Sequence, residues 1–410
     1  MNNQITSPDE RARKKVFLVN GGAGRIICAL PAFEKYALNN GADSFYIFSQ
    51  SGLDFFLGTE FQDIAFDPGH KGIFKDIIKP NDLVNLEPYQ THGYYNQEKS
   101  LTEAFDKLIN ETDDHKDLKK PKIVLQKTEE IRARNIILEV EKQQKKKFTV
   151  VIQPFGRNAE SHEGGYVVDE TSRSLSTDDY FYISKELRKK YNVISMTEIR
   201  FDNDDNMYVD TNLRHWSSII EQADYFVGID SCGQHMAYAF NKPGSVILGS
   251  TFAKNISYPK HFNIVEKPNQ TKEYAPIRID SLDGPLADRK NDTCMDFTEQ
   301  ELKDLTKNIL KDIAVKVEQT KENKRKKILT TADGAYQASP GGKMKLPEEH
   351  AADAIRKSAS KGSGPVGFDK VFENMPKDFN ISSDFNKPSK PLKKSKKSID
   401  KVLESNKINS

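Results

Sequence analysis

Two stretches of this chain carry glycine and small polar residues in patterns suited to holding a phosphorylated ligand. The first is Asn20-Gly-Gly-Ala-Gly-Arg25, directly after the apolar run Lys15-Val-Phe-Leu-Val19. Glycines after a strand let the backbone approach a ligand, and the N-terminus of the next helix favours negative charge. Gly22 and Gly24 are the residues placed to do this. The second stretch is Asp230-Ser-Cys-Gly-Gln-His235, directly after Tyr225-Phe-Val-Gly-Ile229. Asp230 stands at the carboxyl end of an expected strand, where open α/β sheets bind their ligands. Ser231, Cys232, Gly233 and Gln234 lead into a helix, so their N–H groups can point at a phosphate. Gly249-Ser-Thr251 ends the following strand and is expected to line the same crevice.

Simpler readings compete at each position. The first loop falls short of a G-x-G-x-x-G dinucleotide fingerprint, which needs a glycine near Ile27 or Cys28, and Asp43 precedes the second strand instead of following it. A tight turn without a ligand is the alternative there. Asp230 is also a good helix cap, His235 also suits a buried hydrogen-bonded helix position, and Cys232 beside His235 raises a Cys-His nucleophile pair.

The elements that must position these residues alternate. Short apolar runs at 15–20, 44–49 and 82–86 read as strands, and residues 26–38, 101–109 and 127–144 have helical spacing. The pattern restarts at Phe148-Thr-Val-Val-Ile-Gln153. Strands follow at 192–196, 225–229 and 244–248, with helices at 178–190, 216–222, 231–240 and 298–317. Strand–helix alternation implies parallel sheets with helices on both faces. Two fresh starts imply two αβα domains. The expected limits are a flexible N-terminus at 1–14, an N-terminal Rossmann-like domain at 15–146, a C-terminal one at 147–320, and a tail at 321–410.

Composition sets the class. No run of 18 apolar residues exists, so no membrane-spanning helix is expected, and the polar N-terminus lacks a secretory h-region. Cys28, Cys232 and Cys294 lack metal-ligand spacing, and their odd, sparse number fits a cytoplasmic protein without disulfides. The net charge of +2 hides an asymmetry. Residues 321–410 hold 20 Lys/Arg against 11 Asp/Glu, a net of +9, which leaves −7 for residues 1–320. The tail is rich in Lys, Ser and Pro with little to bury, so disorder and weak contact with anionic surfaces are expected. Its aromatics are sparse, which argues against specific nucleic-acid binding.

The segment 225–251 resembles the C-terminal motif of family 9 glycosyltransferases, the heptosyltransferase-like enzymes. Asp230, Ser231, His235, Ala237, Ala239, Lys242, Pro243, Gly249 and Thr251 fall on its pattern, and Cys232 replaces the usual glycine. Val16 to Ala32 is similar to the family's opening strand, glycine turn and L-P-A. Ser172-Arg-Ser-Leu-Ser176 stands where the family has K-R-W-P and keeps only its basic character.

The resemblance implies a GT-B fold, two Rossmann-like αβα domains facing across a cleft. The acceptor, a glycan or lipid-linked saccharide, would sit mainly on the first domain and the nucleotide-sugar donor on the second. It implies metal-independent transfer with no cofactor, at the cytoplasmic side and peripherally at the inner membrane face. The leaving diphosphate would then be stabilised by the 231–234 N–H groups and by Arg157 and Arg173. His235 would hydrogen-bond a phosphate oxygen, Asp230 would take a sugar hydroxyl or pin the loop, and Glu198 and Arg200 would reach the nucleoside. The family's proposed base is an aspartate where this chain has Arg25, and arginine cannot take a proton at neutral pH. Three readings stay open. The base comes from Asp54, Glu87 or His92; or Arg25 binds donor phosphates while solvent or substrate takes the proton; or the protein is a catalytically silent binding or scaffold protein. An NAD(P)-dependent oxidoreductase is the third class of function.

Overall fold

The computed structural model describes residues 13–267 and 293–337, except 163, 164, 170, 203 and 210, and gives only backbone for 320–337. The expected tail from residue 338 onward lies outside the described residues. Both sheets belong to one compact unit, Met1–Ile328; of the second unit, Leu329–Ser410, only helical backbone to Gln337 is described.

The first half runs β1 (Lys15–Val19), α1 (Ala23–Asn40), β2 (Phe45–Ser49), β3 (Ala65–Phe66), β4 (Asp82–Leu86), α2 (His92–Tyr95) and α3 (Leu101–Asn110). Then come α4 (Lys127–Gln144), β5 (Thr149–Ile152), β6 (Glu160–Ser161), β7 (Val167–Val168), α5 (Thr177–Arg188), β8 (Asn192–Ser195) and β9 (Met207–Tyr208). The second half closes with α6 (Leu213–Gln222), β10 (Tyr225–Ile229), α7 (Cys232–Ala239), β11 (Gly244–Leu248), α8 (Ala253–Ile256), β12 (Asn263–Glu266) and α9 (Glu299–Gln337). Strand order is β3-β2-β1-β4 in one sheet and β12-β11-β10-β5-β8-β9 in the other, all pairs parallel. Numbered within its own half, the second sheet reads 6-5-4-1-2-3, the Rossmann order, and the first reads 3-2-1-4, the same order cut short. The expected pair of Rossmann-like domains is therefore present, with β6 and β7 forming a small antiparallel hairpin besides.

The strands form on short runs in which apolar, mostly β-branched or aromatic, residues predominate. All residues of β5, β8, β10 and β11 are buried, as central strands covered on both faces must be. Helix starts are set by short polar side chains: Ser100, Ser176 and Asn212 each accept a hydrogen bond from the backbone three residues on, which satisfies N–H groups that the helix itself leaves open. On one face of the second sheet, Tyr180, Ile183 and Leu187 of α5 and Leu305, Ile309 and Ile313 of α9 pack on Val150, Val227 and Ile247. On the other face the core is continuous with the first half: Trp216, Ile219, Met236 and Ala237 belong to one apolar cluster with Phe17, Ile27 and Phe33.

Two elements fall differently from their place in the sequence. Helix α4, in the first half by sequence, is tied to the second sheet. Gln144 at its end donates to the Val193 carbonyl at 3.0 Å and accepts from the Val193 N–H at 2.8 Å. The closing helix, expected to stop at Val317, continues to Gln337. Residues 318–331 are mostly Glu, Gln, Lys, Arg, Ile and Leu, most of which lose little side-chain freedom in a helix, so nothing local ends it.

Candidate active site

The Rossmann order fixes where a ligand should lie: at the carboxyl ends of the strands flanking the point where strand order reverses. In the first sheet that point is between β1 and β4, in the second between β5 and β10. Both open on a single cavity of about 1060 Å³. Gly21 to Arg25 and Tyr89 line it from the first half; Gln153, Arg157, Arg173, Glu198 and Asp230 to Cys232 line it from the second.

Gly21 makes the turn after β1 with φ +82°, a conformation that side chains with a Cβ resist. It delivers the chain into α1, whose first turn has neither a side-chain cap nor an acidic residue. Gly22 and Gly24 line the cavity there.

The second loop behaves differently from expectation. Of the N–H groups assigned to a phosphate, that of Ser231 donates to the Ile229 carbonyl at 2.8 Å, that of Gly233 to Gln153 Oε1 at 3.0 Å, and that of Gln234 to the Ser231 carbonyl at 3.3 Å. Gln153 also donates to Ser231 Oγ at 3.0 Å. A neutral side chain from the end of β5 thus occupies the α7 N-terminus. Gly233 and Gln234 do not line the cavity. Gln234 is fully buried and donates to Asp230 Oδ1 at 3.2 Å, holding that carboxylate from behind. Gly249 does not line the cavity either. A Cβ on it would lie 2.5 Å from Met295 Cγ and 2.6 Å from the Ser172 carbonyl, so the glycine serves the close packing of the 171–172 loop. Thr251 does line the cavity and is nearly buried.

Asp230 is no helix cap: Ser231 is the N-cap of α7, without a side-chain hydrogen bond. The Asp230 carboxylate faces Arg173, whose Nη1 is 3.8 Å from Oδ2. Arg173 is placed by a loop built around Asp169, which accepts from the Thr171 N–H at 2.9 Å and the Ser174 N–H at 3.1 Å. Burial pushes the Asp169 pKa up, but the hydrogen bonds from Ser174 and Thr171 outweigh it and the net shift is downward. Arg173 Nε donates to Thr171 at 2.9 Å, so its guanidinium is aimed over Asp230 instead of lying as a loose surface ion pair. Arg157 and Glu198 are exposed at the cavity wall, and neither has a hydrogen bond or ion pair among the described residues.

His235 is buried, with Nδ1 2.9 Å from the Tyr258 hydroxyl and 3.4 Å from Cys28 Sγ. A Cβ on Gly24 would sit 3.1 Å from the imidazole, so the α1 glycine lets the two halves meet there. Its thiol neighbour is Cys28 of α1, not Cys232. Burial pushes the Cys28 thiol up to about 12 and raises Cys232 as well, so neither is a ready thiolate. All three cysteines are free. Burial lowers His235 to about 4. The folded value is below the unfolded one, so stability from the neutral ring is whole above about pH 6.5 and is lost as pH falls towards 4. Thermal melts from pH 7 to 4 should steepen accordingly, and His235→Gln should flatten that part of the profile. An unchanged slope in the variant would remove His235 as the cause.

Arg25 lies at the cavity edge but is only 3% exposed. It donates to the Leu86 carbonyl at 2.8 Å, pairs with Glu87 at 3.3 Å, and its guanidinium sits 4.8 Å from the Tyr89 ring centroid. The end of β4 therefore holds it. Of the three carboxylate or imidazole candidates, Glu87 is consumed in that pair. His92 is exposed outside the cavity beside Tyr95 and Asn96. Asp54, on a short 3-10 turn at Leu53–Phe56, is exposed and lines the cavity, with no partner for its carboxylate among the described residues.

Sequence reasoning missed Gln153, Arg214 and Asn255, the last of which donates to the Tyr94 and Lys99 carbonyls of the first half at 3.0 and 2.7 Å. Gln153 stands at a strand end beside the point of reversal, so the rule that singled out Asp230 applies to it equally. The other two carry no local signal. Among the described residues no group of three or more His, Cys, Asp or Glu could hold a metal ion, and no helix is long and apolar enough to cross a membrane.

No protein-family model matches the sequence, and no curated protein does. Solved structures do. The glycosyl transferase family 9 protein of Veillonella parvula shares 9% identity over 63% of this chain and 86% of its own, with a TM-score of 0.42. The iron-containing dodecameric glycosyltransferase TibC of enterotoxigenic E. coli shares 10% over 76% and 80%, with a TM-score of 0.48. The E. coli ADP-heptose lps heptosyltransferase II shares 11% over 73% and 99%, with a TM-score of 0.46. The chain is thus similar to solved structures of heptosyltransferases and a family 9 glycosyltransferase, the group its 225–251 segment resembles.

Proposed function

We propose that the protein transfers a sugar from a nucleotide-sugar to a glycan, lipid-linked saccharide or protein acceptor, without a metal or cofactor. The observation that carries this is the sharing of one cavity by two Rossmann reversal points. Its volume of about 1060 Å³ is at the top of the usual ~300–1,000 Å³ for a ligand pocket, enough for donor and acceptor together. The donor diphosphate lies between the open first turn of α1 and the cations Arg157 and Arg173. Charge that develops on the leaving group is stabilised there by fixed dipoles and guanidinium groups. Glu198 accepts from a ribose hydroxyl. Asp230, held by Gln234 and Arg173, accepts from a sugar hydroxyl. Asp54 takes the proton from the acceptor. Arg25, bound up with Glu87, is part of the scaffold and serves neither as base nor as phosphate ligand. That pair is also what favours a second reading, a silent protein that binds a nucleotide-sugar without turning it over.

A thermal-shift screen with UDP-, GDP-, CMP-, dTDP- and ADP-linked sugars, including ADP-heptose and with NAD(P) alongside, tests the proposal. At least one nucleotide-sugar should raise Tm, and Arg173→Ala or Arg157→Ala should weaken that binding by roughly tenfold each, the loss of one charge-assisted hydrogen bond. Binding without transfer or hydrolysis would favour the silent reading. Stabilisation by NAD(P) alone would remove both.

A further inference from the structure

Arg214, in the first turn of α6, is 3% exposed and does not line the cavity. Its guanidinium is nonetheless fully engaged across the two halves. Nε and Nη2 donate to the Glu129 carboxylate at 2.7 and 3.0 Å, Nη2 also to the Val124 carbonyl, and Nη1 to the Asp54 carbonyl at 3.2 Å. One rigid fork therefore ties α6, the start of α4 and the 3-10 turn bearing Asp54 into a single knot. Asn212, Leu213 and Trp216 of the same helix face the cavity.

We propose that Arg214 is a positioning residue that acts through Asp54. It holds the Leu53–Phe56 turn against the second half, so that the Asp54 carboxylate stands at a fixed place over the cavity. The carboxylate's task as base rests on the proposed transferase reading; the pinning of the turn does not. A planar five-donor guanidinium is required, because three acceptors from three segments must be met at once. Lysine offers a single point donor and can serve only part of the set. The expectation follows from the cost of leaving buried carbonyls without donors. Phe55 and Phe56 anchor the turn's side chains in the core, but its backbone is closed only locally, by the Leu57 N–H to the Asp54 carbonyl at 3.2 Å and the Phe55 N–H to Gly52 at 3.0 Å, and Arg214 is what ties the Asp54 carbonyl to the second half.

Hydrogen–deuterium exchange on the full chain tests the pinning without any ligand. In Arg214→Lys the amides of Phe55 and Leu57 should exchange at least about tenfold faster, as expected for loss of a charge-assisted hydrogen bond, while strand 225–229 stays as protected as in the wild type. Glu129→Gln, which keeps the side-chain shape, should speed the same two amides by a smaller factor and covers the case in which Arg214→Lys fails to fold. Unchanged exchange at 55 and 57, or an equal rise in strand 225–229, would overturn the proposal. With ADP-heptose or another panel donor that is turned over, Arg214→Lys should lower kcat about tenfold or more with KM within about twofold. That loss should vanish in an Asp54→Asn background. An undiminished loss there would show that Arg214 does not act through Asp54. A wild-type protein that turns over no donor sinks the transferase reading, while the exchange result still decides the pinning.

Discussion

Asp54→Asn is expected to cut turnover by about 10²–10⁴, the range for loss of a general base, while donor affinity stays within a factor of two. The amide has the carboxylate's shape but cannot accept the acceptor's proton. Three features single out Asp54: it lines the cavity, its carboxylate is without a partner among the described residues, and the alternatives are committed elsewhere. The measurement is kcat and KM for nucleotide release, with and without acceptor, alongside the thermal shift with donor. Full activity in Asp54→Asn would return the proton transfer to solvent or substrate. Loss of donor binding together with activity would make Asp54 a donor ligand.

The second large effect is on stability. Arg25 and Glu87 are a buried ion pair, 3% and 8% exposed. Removing one member leaves a buried charge without its main counter-charge, which costs about 3–5 kcal/mol. Arg25→Met should therefore lower the urea midpoint strongly. The double variant Arg25→Met/Glu87→Leu should recover most of the loss, since well-packed apolar residues often replace such a pair without net cost. Donor affinity in the double variant should be close to wild type. If Arg25→Met instead left the midpoint unchanged and abolished donor binding, Arg25 would be a phosphate ligand after all and its pairing with Glu87 incidental.

These two results bear on the same position from opposite sides. Where the resembled family has an aspartate, this chain has Arg25, paired with Glu87 at the end of the neighbouring strand β4. The base proposed in its stead, Asp54, is on the turn after β2. That turn is on the same side of the cavity, and Arg214 reaches it from the other half.

Much of the fold was legible because the signals are local. The runs 15–19, 149–152, 225–229 and 244–248 are mostly apolar, as parallel strands covered on both faces tend to be. Their alternation with helices fixed the class, and the glycine turn after β1 and Asp230 after β10 marked both strand ends that carry the site. The extent of α9 was less legible: residues 318–327 are polar, so the apolar periodicity fades there, yet most of them are good helix formers and the helix continues.

What the sequence determined by itself is the pair of Rossmann-like units, the position of their strand ends, and the residue types brought there: glycines, Asp230, Arg157, Arg173 and Glu198. What only the tertiary structure decided is which of those groups are available. Ser231 and Gly233 looked like phosphate donors, but their N–H groups are satisfied by Ile229 and Gln153. His235 looked like a ligand group and does line the cavity, but its Nδ1 is met by Tyr258 and Cys28 from two different parts of the chain. Arg25 looked free, but Glu87, 62 residues away, holds it. Each of those partners is distant in sequence, and a hydrogen bond or ion pair between distant residues leaves no mark in local spacing. Sequence tells what a group can do; only the packed chain shows whether its donors and charges are already spent.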